Sequence, residues 1–222
     1  MAIFHQHKCI FIHLPRTGGT TIHNALGGGP KNHFPWHKFK SDPEYNEVWD
    51  SYLKFATVRN PFDWLVSLYN HPNTLSGSQH RSQSHCPERG EPVNIAPVMT
   101  PTGPVKKRSF EDYVRCPAMF SWESPYVTQS QTIGYDIDFF IKFEKLQQGF
   151  DKLCDKIGRS RSILKVVVPT ANRKKDYKKY YDSDLIRDVS KIFRKDLDRF
   201  RYSFSDESLW HTLSHKHNYY ND

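Results

Sequence analysis

The sequence predicts an α/β fold, on three observations. Lys8 to His13 (KCIFIH) is a short apolar run closed by Pro15, the pattern of a buried strand. A glycine-containing turn and a helix-like stretch follow it directly. The same strand–turn–helix succession then recurs between Leu53 and Tyr69, each time with an arginine in the turn, Arg16 and then Arg59.

The elements read in order. Thr20 to Leu26 suits a helix that Gly27, Gly28 and Gly29 stop. Residues 43–52 suit a second helix, with Pro43 in its first turn. Leu53 to Val58 reads as a strand, Asn60-Pro61 breaks it, and Phe62 to Tyr69 restores helical spacing through Leu65, Leu68 and Tyr69. Residues 71–108 change character: rich in Pro, Ser, Gly, Asn and Gln, they read as a long loop or insertion. Ser109 to Asp112 starts a helix. Asp138 to Phe143 reads as a strand and Glu144 to Ile157 as an amphipathic helix stopped by Gly158. Residues 163–168 (ILKVVV) form another apolar run before Pro169. Asp182 or Ser183 caps a last helix over 183–199, with Leu185, Val189, Ile192, Phe193 and Leu197 toward the core. The tail after about 205 is polar and His-rich.

With 222 residues the chain fits one domain, 1–222, and no linker or repeat divides it. No run approaches the about 18–20 apolar residues of a membrane span, and the opening residues do not read as a signal peptide. Four cysteines, Cys9, Cys86, Cys116 and Cys154, lie without CxxC spacing, which suits a reduced, cytoplasmic setting with Cys9 and Cys154 as small core residues. The net charge of +8 favours an anionic ligand. No nucleic-acid-binding module accompanies it, so nucleic acid is not the expected partner.

The chemistry sits in the two turns. In Pro15-Arg16-Thr17-Gly18-Gly19-Thr20-Thr21 the glycines let successive N–H groups curl inward, the helix adds its positive end, and threonine hydroxyls add donors: a phosphate site. A nucleotide P-loop would read GxxxxGK[ST]. Here no Lys follows the glycines, which disfavours an ordinary ATPase, GTPase or small-molecule kinase. In the second turn, Val58-Arg59-Asn60-Pro61-Phe62-Asp63-Trp64-Leu65-Val66-Ser67, Arg59 lies just before a helix and can share an anion with the Ser67 hydroxyl.

LPRTGGTT followed by FATVRNPFDWLVSLYN resembles the two cofactor motifs of sulfotransferases that use 3′-phosphoadenosine-5′-phosphosulfate (PAPS). The likeness is greatest to the carbohydrate, uronyl 2-O-like branch and its bacterial relatives. VWDSYLKFATVRNP, DFFIKFEKLQQGFDKLCDKIG and YKKYYDSDLIRDVSKIFRKDLDRFRYSF continue it, so that it spans most of the chain outside 71–108 and the tail. The resemblance implies a P-loop-NTPase-like, three-layer fold with a central parallel sheet. It implies that Arg16, Thr17, Gly18, Gly19, Thr20 and Thr21 hold the 5′-phosphosulfate, and that Arg59 and Ser67 hold the 3′-phosphate. This chain departs from the family pattern at Arg16, where Lys is usual, at Trp64, where Arg is frequent, and at Lys142, where Arg is common.

Sulfuryl transfer needs positive charge at the leaving phosphate oxygen and a base at the incoming hydroxyl. Arg16 suits the first task. For the second, the resemblance points to His33, in KNHFPWHKFK, with His37 the rival. Arg173, in a basic stretch with Lys174 and Lys175, could reach the cofactor or an acidic acceptor. His211, His215 and His217 have i, i+4 spacing within them, but no Cys or carboxylate completes a metal site, and none is expected. The expected partner is a hydroxyl acceptor, a glycan first. The competing class is a binder of nucleotides or acidic glycans without turnover.

Overall fold

A computed structural model describes residues 2–29, 36–70, 84–85, 92–93, 99–100, 103–104, 109–115, 128–165 and 176–206. The expectations for His33, Arg173 and the tail fall outside these residues, as does most of 71–108. Within that last range two antiparallel pairs are described, Ser84–His85 with Pro92–Val93 and Met99–Thr100 with Gly103–Pro104.

The main sheet has strands β1 (Ala2–Phe4), β2 (Cys9–Ile12), β3 (Leu53–Val58) and β4 (Phe139–Lys142), in that spatial order. β2, β3 and β4 are parallel, with Phe11 opposite Phe55 and Phe55 opposite Phe139. The parallel centre is as expected. β1 is an addition: it folds back antiparallel onto β2 through a turn at His5–His7. The apolar triplet Ala2–Phe4 is too short for periodicity to reveal it.

Alternation along the strands feeds two faces. Cys9, Phe11, Phe55 and Ile141 meet Ile22 of helix α1 (Gly19–Ala25), Leu26 at its C-terminal cap, and Phe150, Leu153 and Cys154 of α7 (Leu146–Lys156). Ile10, Ile12, Ala56 and Val58 meet Trp49 of α3 (Pro43–Trp49), Ile133 of α6 (Gln129–Ile133) and Phe200 of α9 (Arg194–Phe200). The sheet is therefore the middle of three layers, as expected. Cys9 and Cys154 are free and buried, and desolvation pushes the Cys9 thiol up to about 12. A third apolar cluster joins α4 (Pro61–Tyr69), α5 (Phe110–Arg115) and α8 (Ser183–Ile192).

The structure differs from the sequence reading in three places. The final helix is two: α8 ends at Ile192, and Phe193, at φ −100° and ψ 19°, both closes it and opens α9. Leu185, Val189 and Phe193 serve the α4–α5 cluster, whereas Phe200 serves the sheet. One straight helix cannot reach both. Of the apolar run 163–168 only 163–165 lies among the described residues, and that part is no strand: Ile163 is exposed and the Leu164 N–H donates to Gln147 Oε1. Finally, α2 (Trp36–Lys40) and α6 had not been expected. For α6 the signal was present. Thr128 and Gln131 form a reciprocal capping box, the T-x-x-Q signature of a helix start.

α6 is tied to α9 by one carboxylate. Asp196, fully buried, accepts from the Gln129 N–H at 2.8 Å and the Ser130 N–H at 2.8 Å. Asp196→Ala orphans both donors and is expected to cost about 2–4 kcal/mol of stability. Urea unfolding of the variant checks it; a loss below 1 kcal/mol would contradict the assignment.

Candidate functional site

Both arginine turns lie at the C-terminal ends of neighbouring parallel strands, β2 and β3. In open α/β sheets this edge is where ligands bind. α1 rises from the first turn and α4 from the second.

The first turn is fixed at successive points. Thr17 Oγ1 donates to the Leu14 carbonyl at 2.9 Å and shares a 2.6 Å hydrogen bond with Thr57 on β3. The Pro15 carbonyl accepts from the indole N–H of Trp64 at 2.8 Å. The Arg16 carbonyl accepts from Arg59 Nη1 at 2.9 Å. Arg16 itself is left-handed, with φ 64°, a state that costs a non-glycine residue roughly 1–2 kcal/mol. Gly18 is left-handed too, and a side chain there would meet the Phe143 ring. At Gly19 an added Cβ would fall 1.9 Å from the His13 ring, so only glycine lets the first turn of α1 settle on that buried imidazole.

The second turn is held as firmly. Gln129 clasps the backbone of Arg59 from both sides, accepting from its N–H at 2.9 Å and donating to its carbonyl at 2.7 Å. Asn60 caps α4 by accepting from the Phe62 N–H, and its own N–H donates to Glu144 Oε1 at 2.8 Å. The Arg59 guanidinium donates twice to Asp63 Oδ2, at 2.8 and 2.6 Å, and lies 4.2 Å above the Phe143 ring. Both members of that ion pair are buried.

The structure thus brings together Arg16, Arg59 and Ser67 in one place. Ser67 Oγ accepts from Arg16 Nε at 3.2 Å, while Arg59 pairs with Asp63. Ser67 is buried and Arg16 half-buried, so the Arg16 side chain lies over the serine. Thr17 is wholly buried and bonded inward, Thr21 is buried, and Thr20 is partly open. His37 is exposed on α2, its ring edge-on to Trp36. Trp36 packs on Gly134 and near Trp49. The Trp49 carbonyl accepts from Lys54 Nζ at the start of β3, the end opposite the turns. Among the described residues no hydrogen bond or ring contact joins His37 to Arg16.

Sequence reading missed the residues that set the turns: His13, Asp63, Trp64, Gln129, Phe143 and Glu144. Two had a local signal, Asp63 four residues after Arg59 on one helix face and Gln129 behind its capping threonine. Glu144 is reached only through the fold. Burial pushes its carboxyl above the usual glutamate range, against the opposing effects of the Tyr202 hydroxyl at 2.6 Å, the Asn60 N–H and the Arg59 charge. Among the described residues no group of three His, Cys, Asp or Glu could hold a metal ion, and no helix is long and apolar enough to cross a membrane.

A family model described as the sulfotransferase family matches residues 1–203. No curated protein and no solved structure matches the chain.

The raised carboxyl of Glu144 has a definite sign in stability. Its contribution is complete at pH values below the unfolded glutamate pKa and is lost as pH rises through the folded one. Glu144→Gln removes that titration. Stability of the wild type relative to this variant is therefore expected to fall from pH 4 toward neutrality, on top of a constant offset from altered hydrogen bonding. Denaturant titrations across that range measure it; a difference independent of pH would contradict the account.

Proposed function

Because the chain belongs to the sulfotransferase family, we propose that it transfers a sulfuryl group from PAPS to a hydroxyl, of a carbohydrate in the first instance. The observation that carries this reading is the contact between the two turns. Arg59 of the second bonds the Arg16 carbonyl of the first, and Arg16 reaches back to Ser67. Two anion sites held this close suit a nucleotide with phosphates on both sides of one ribose. A triphosphate needs only one.

The residues present fit such a ligand. The glycine turn opens α1, whose N-terminal amides and positive end favour an anion. Arg16 adds a guanidinium that cannot lose its proton. On this reading Arg16, Thr17, Gly18, Gly19, Thr20 and Thr21 serve the 5′ side, and Arg59 with Ser67 serves the 3′-phosphate. When bound, PAPS supplies the sulfuryl group and a phosphate leaving group. Arg16 Nε donates to Ser67 Oγ at 3.2 Å; with Ser67 engaged by a 3′-phosphate, the Arg16 guanidinium would be available to supply positive charge at the leaving oxygen. His33 removes the proton from the acceptor hydroxyl, a role that rests on the family resemblance; His37 is its alternative. Arg173 is a further candidate for contact with the nucleotide or an acidic acceptor. No metal enters, since Arg16, the turn amides and the helix end supply the charge that Mg²⁺ supplies in kinases.

Calorimetry is expected to give tighter binding of adenosine 3′,5′-bisphosphate than of ATP, and mass spectrometry a sulfated product from PAPS and a glycan panel, with or without chelator. Equal or tighter ATP binding would turn the reading toward a kinase. Arg59→Ala is a poor probe of the 3′ site, because it strands the buried Asp63 carboxylate. Ser67→Ala is the cleaner one, and it should weaken bisphosphate binding about tenfold.

For the base, His33→Ala should lower turnover about 10²–10⁴-fold with little change in nucleotide affinity. Greater damage from His37→Ala would move the role there.

A further inference from the structure

Trp64 stands where the family often has arginine, and the structure gives it a definite task. It is buried, and its ring meets Phe193 edge-on at 6.2 Å. Its one polar group, the indole N–H, donates to the Pro15 carbonyl. Trp64 and Ser67 are three residues apart on α4 and so share a face. That face bonds Pro15 through one residue and Arg16 through the other.

The consequence follows from peptide geometry. In a planar trans peptide the carbonyl and the N–H point in opposite directions, and no peptide described here is cis. The Pro15 carbonyl is drawn toward α4 by Trp64, so the Arg16 N–H in the same plane points away from α4. The Arg16 carbonyl is drawn to Arg59, so the Thr17 N–H points away from that guanidinium. Two consecutive amides are thereby aimed from behind. The left-handed φ of Arg16 is the backbone state in which both carbonyls are held.

We propose that Trp64 is a positioning residue for the nucleotide: by holding the Pro15 carbonyl, its indole N–H aims the Arg16 amide at the phosphate on the 5′ side. The proposal rests on the reading of the first turn as the 5′ site. It differs from an anchoring role in the core because it concerns one end of the ligand only. A loosened core would weaken every ligand of the site alike.

The test uses Trp64→Phe, which keeps an aromatic ring against Phe193 and removes the N–H. Calorimetry on the full chain compares adenosine 3′,5′-bisphosphate, adenosine 5′-monophosphate and adenosine 3′-monophosphate. Both ligands with a 5′-phosphate should bind about tenfold more weakly, the factor for one ordinary hydrogen bond. The 3′-monophosphate should bind as to wild type. Phe193→Leu, which disturbs the ring packing and keeps the N–H, should produce no such selectivity. Equal weakening of all three ligands by Trp64→Phe, no weakening, or the same selectivity from Phe193→Leu would overturn the proposal while leaving the nucleotide reading intact. A wild type that binds the bisphosphate no better than ATP would overturn both.

Discussion

A guanidinium taken out of water costs several kcal/mol unless a counter-charge and hydrogen-bond acceptors receive it. Arg59 is 2% exposed, and Asp63 one helical turn away supplies the charge. The pair does more than neutralise itself. A remaining N–H group of Arg59 binds the carbonyl of Arg16, and its flat face covers Phe143, whose ring also borders Gly18. One buried cation therefore touches the first turn, the second turn and the end of β4. Losing it would free a carbonyl, strand a carboxylate and uncover a ring at the same moment.

The surrounding residues serve to hold that cation still. Gln129 fixes the Arg59 backbone from α6, and Asp196 fixes the start of α6 from α9. Glu144 fixes Asn60, while Tyr202, beyond α9, fixes Glu144. The break at Phe193 matters in this light. It lets the C-terminal helices pack on α4 with one half and on the sheet with the other, so that Asp196 and Tyr202 arrive where the second turn needs them. Such buried polar networks are worthwhile only when their members are satisfied, and each link named here has its partner within hydrogen-bonding distance.

Much of this was legible in the chain. The parallel centre of the sheet follows from the family resemblance, and two strand–turn–helix units, α4 behind Asn60-Pro61 and the amphipathic α7 from local apolar spacing and from glycine and proline punctuation. The residues of the two turns, Arg16 to Thr21 and Arg59 to Ser67, stood out for the same reason. What was not legible had weak local signals. β1 is three residues long, α2 and α6 five each. The 163–165 stretch has an apolar pattern, yet Ile163 is 77% exposed, because Leu164 is held by a side chain of α7 and not by a sheet edge.

The sequence by itself determined the chemical groups each turn carries, since glycine, proline, arginine and hydroxyl side chains keep their conformational and chemical preferences wherever they are placed. Only the tertiary structure decided how the turns are joined. Arg59 meets Asp63 and the Arg16 carbonyl, Arg16 meets Ser67, Trp64 meets Pro15, and Glu144 meets Asn60. Apart from the Arg59–Asp63 pair, these partners are separated by long stretches of chain. Hydrogen bonds between them depend on the register of β2 against β3 and the packing of α4 beside them, and local propensity carries no information about either.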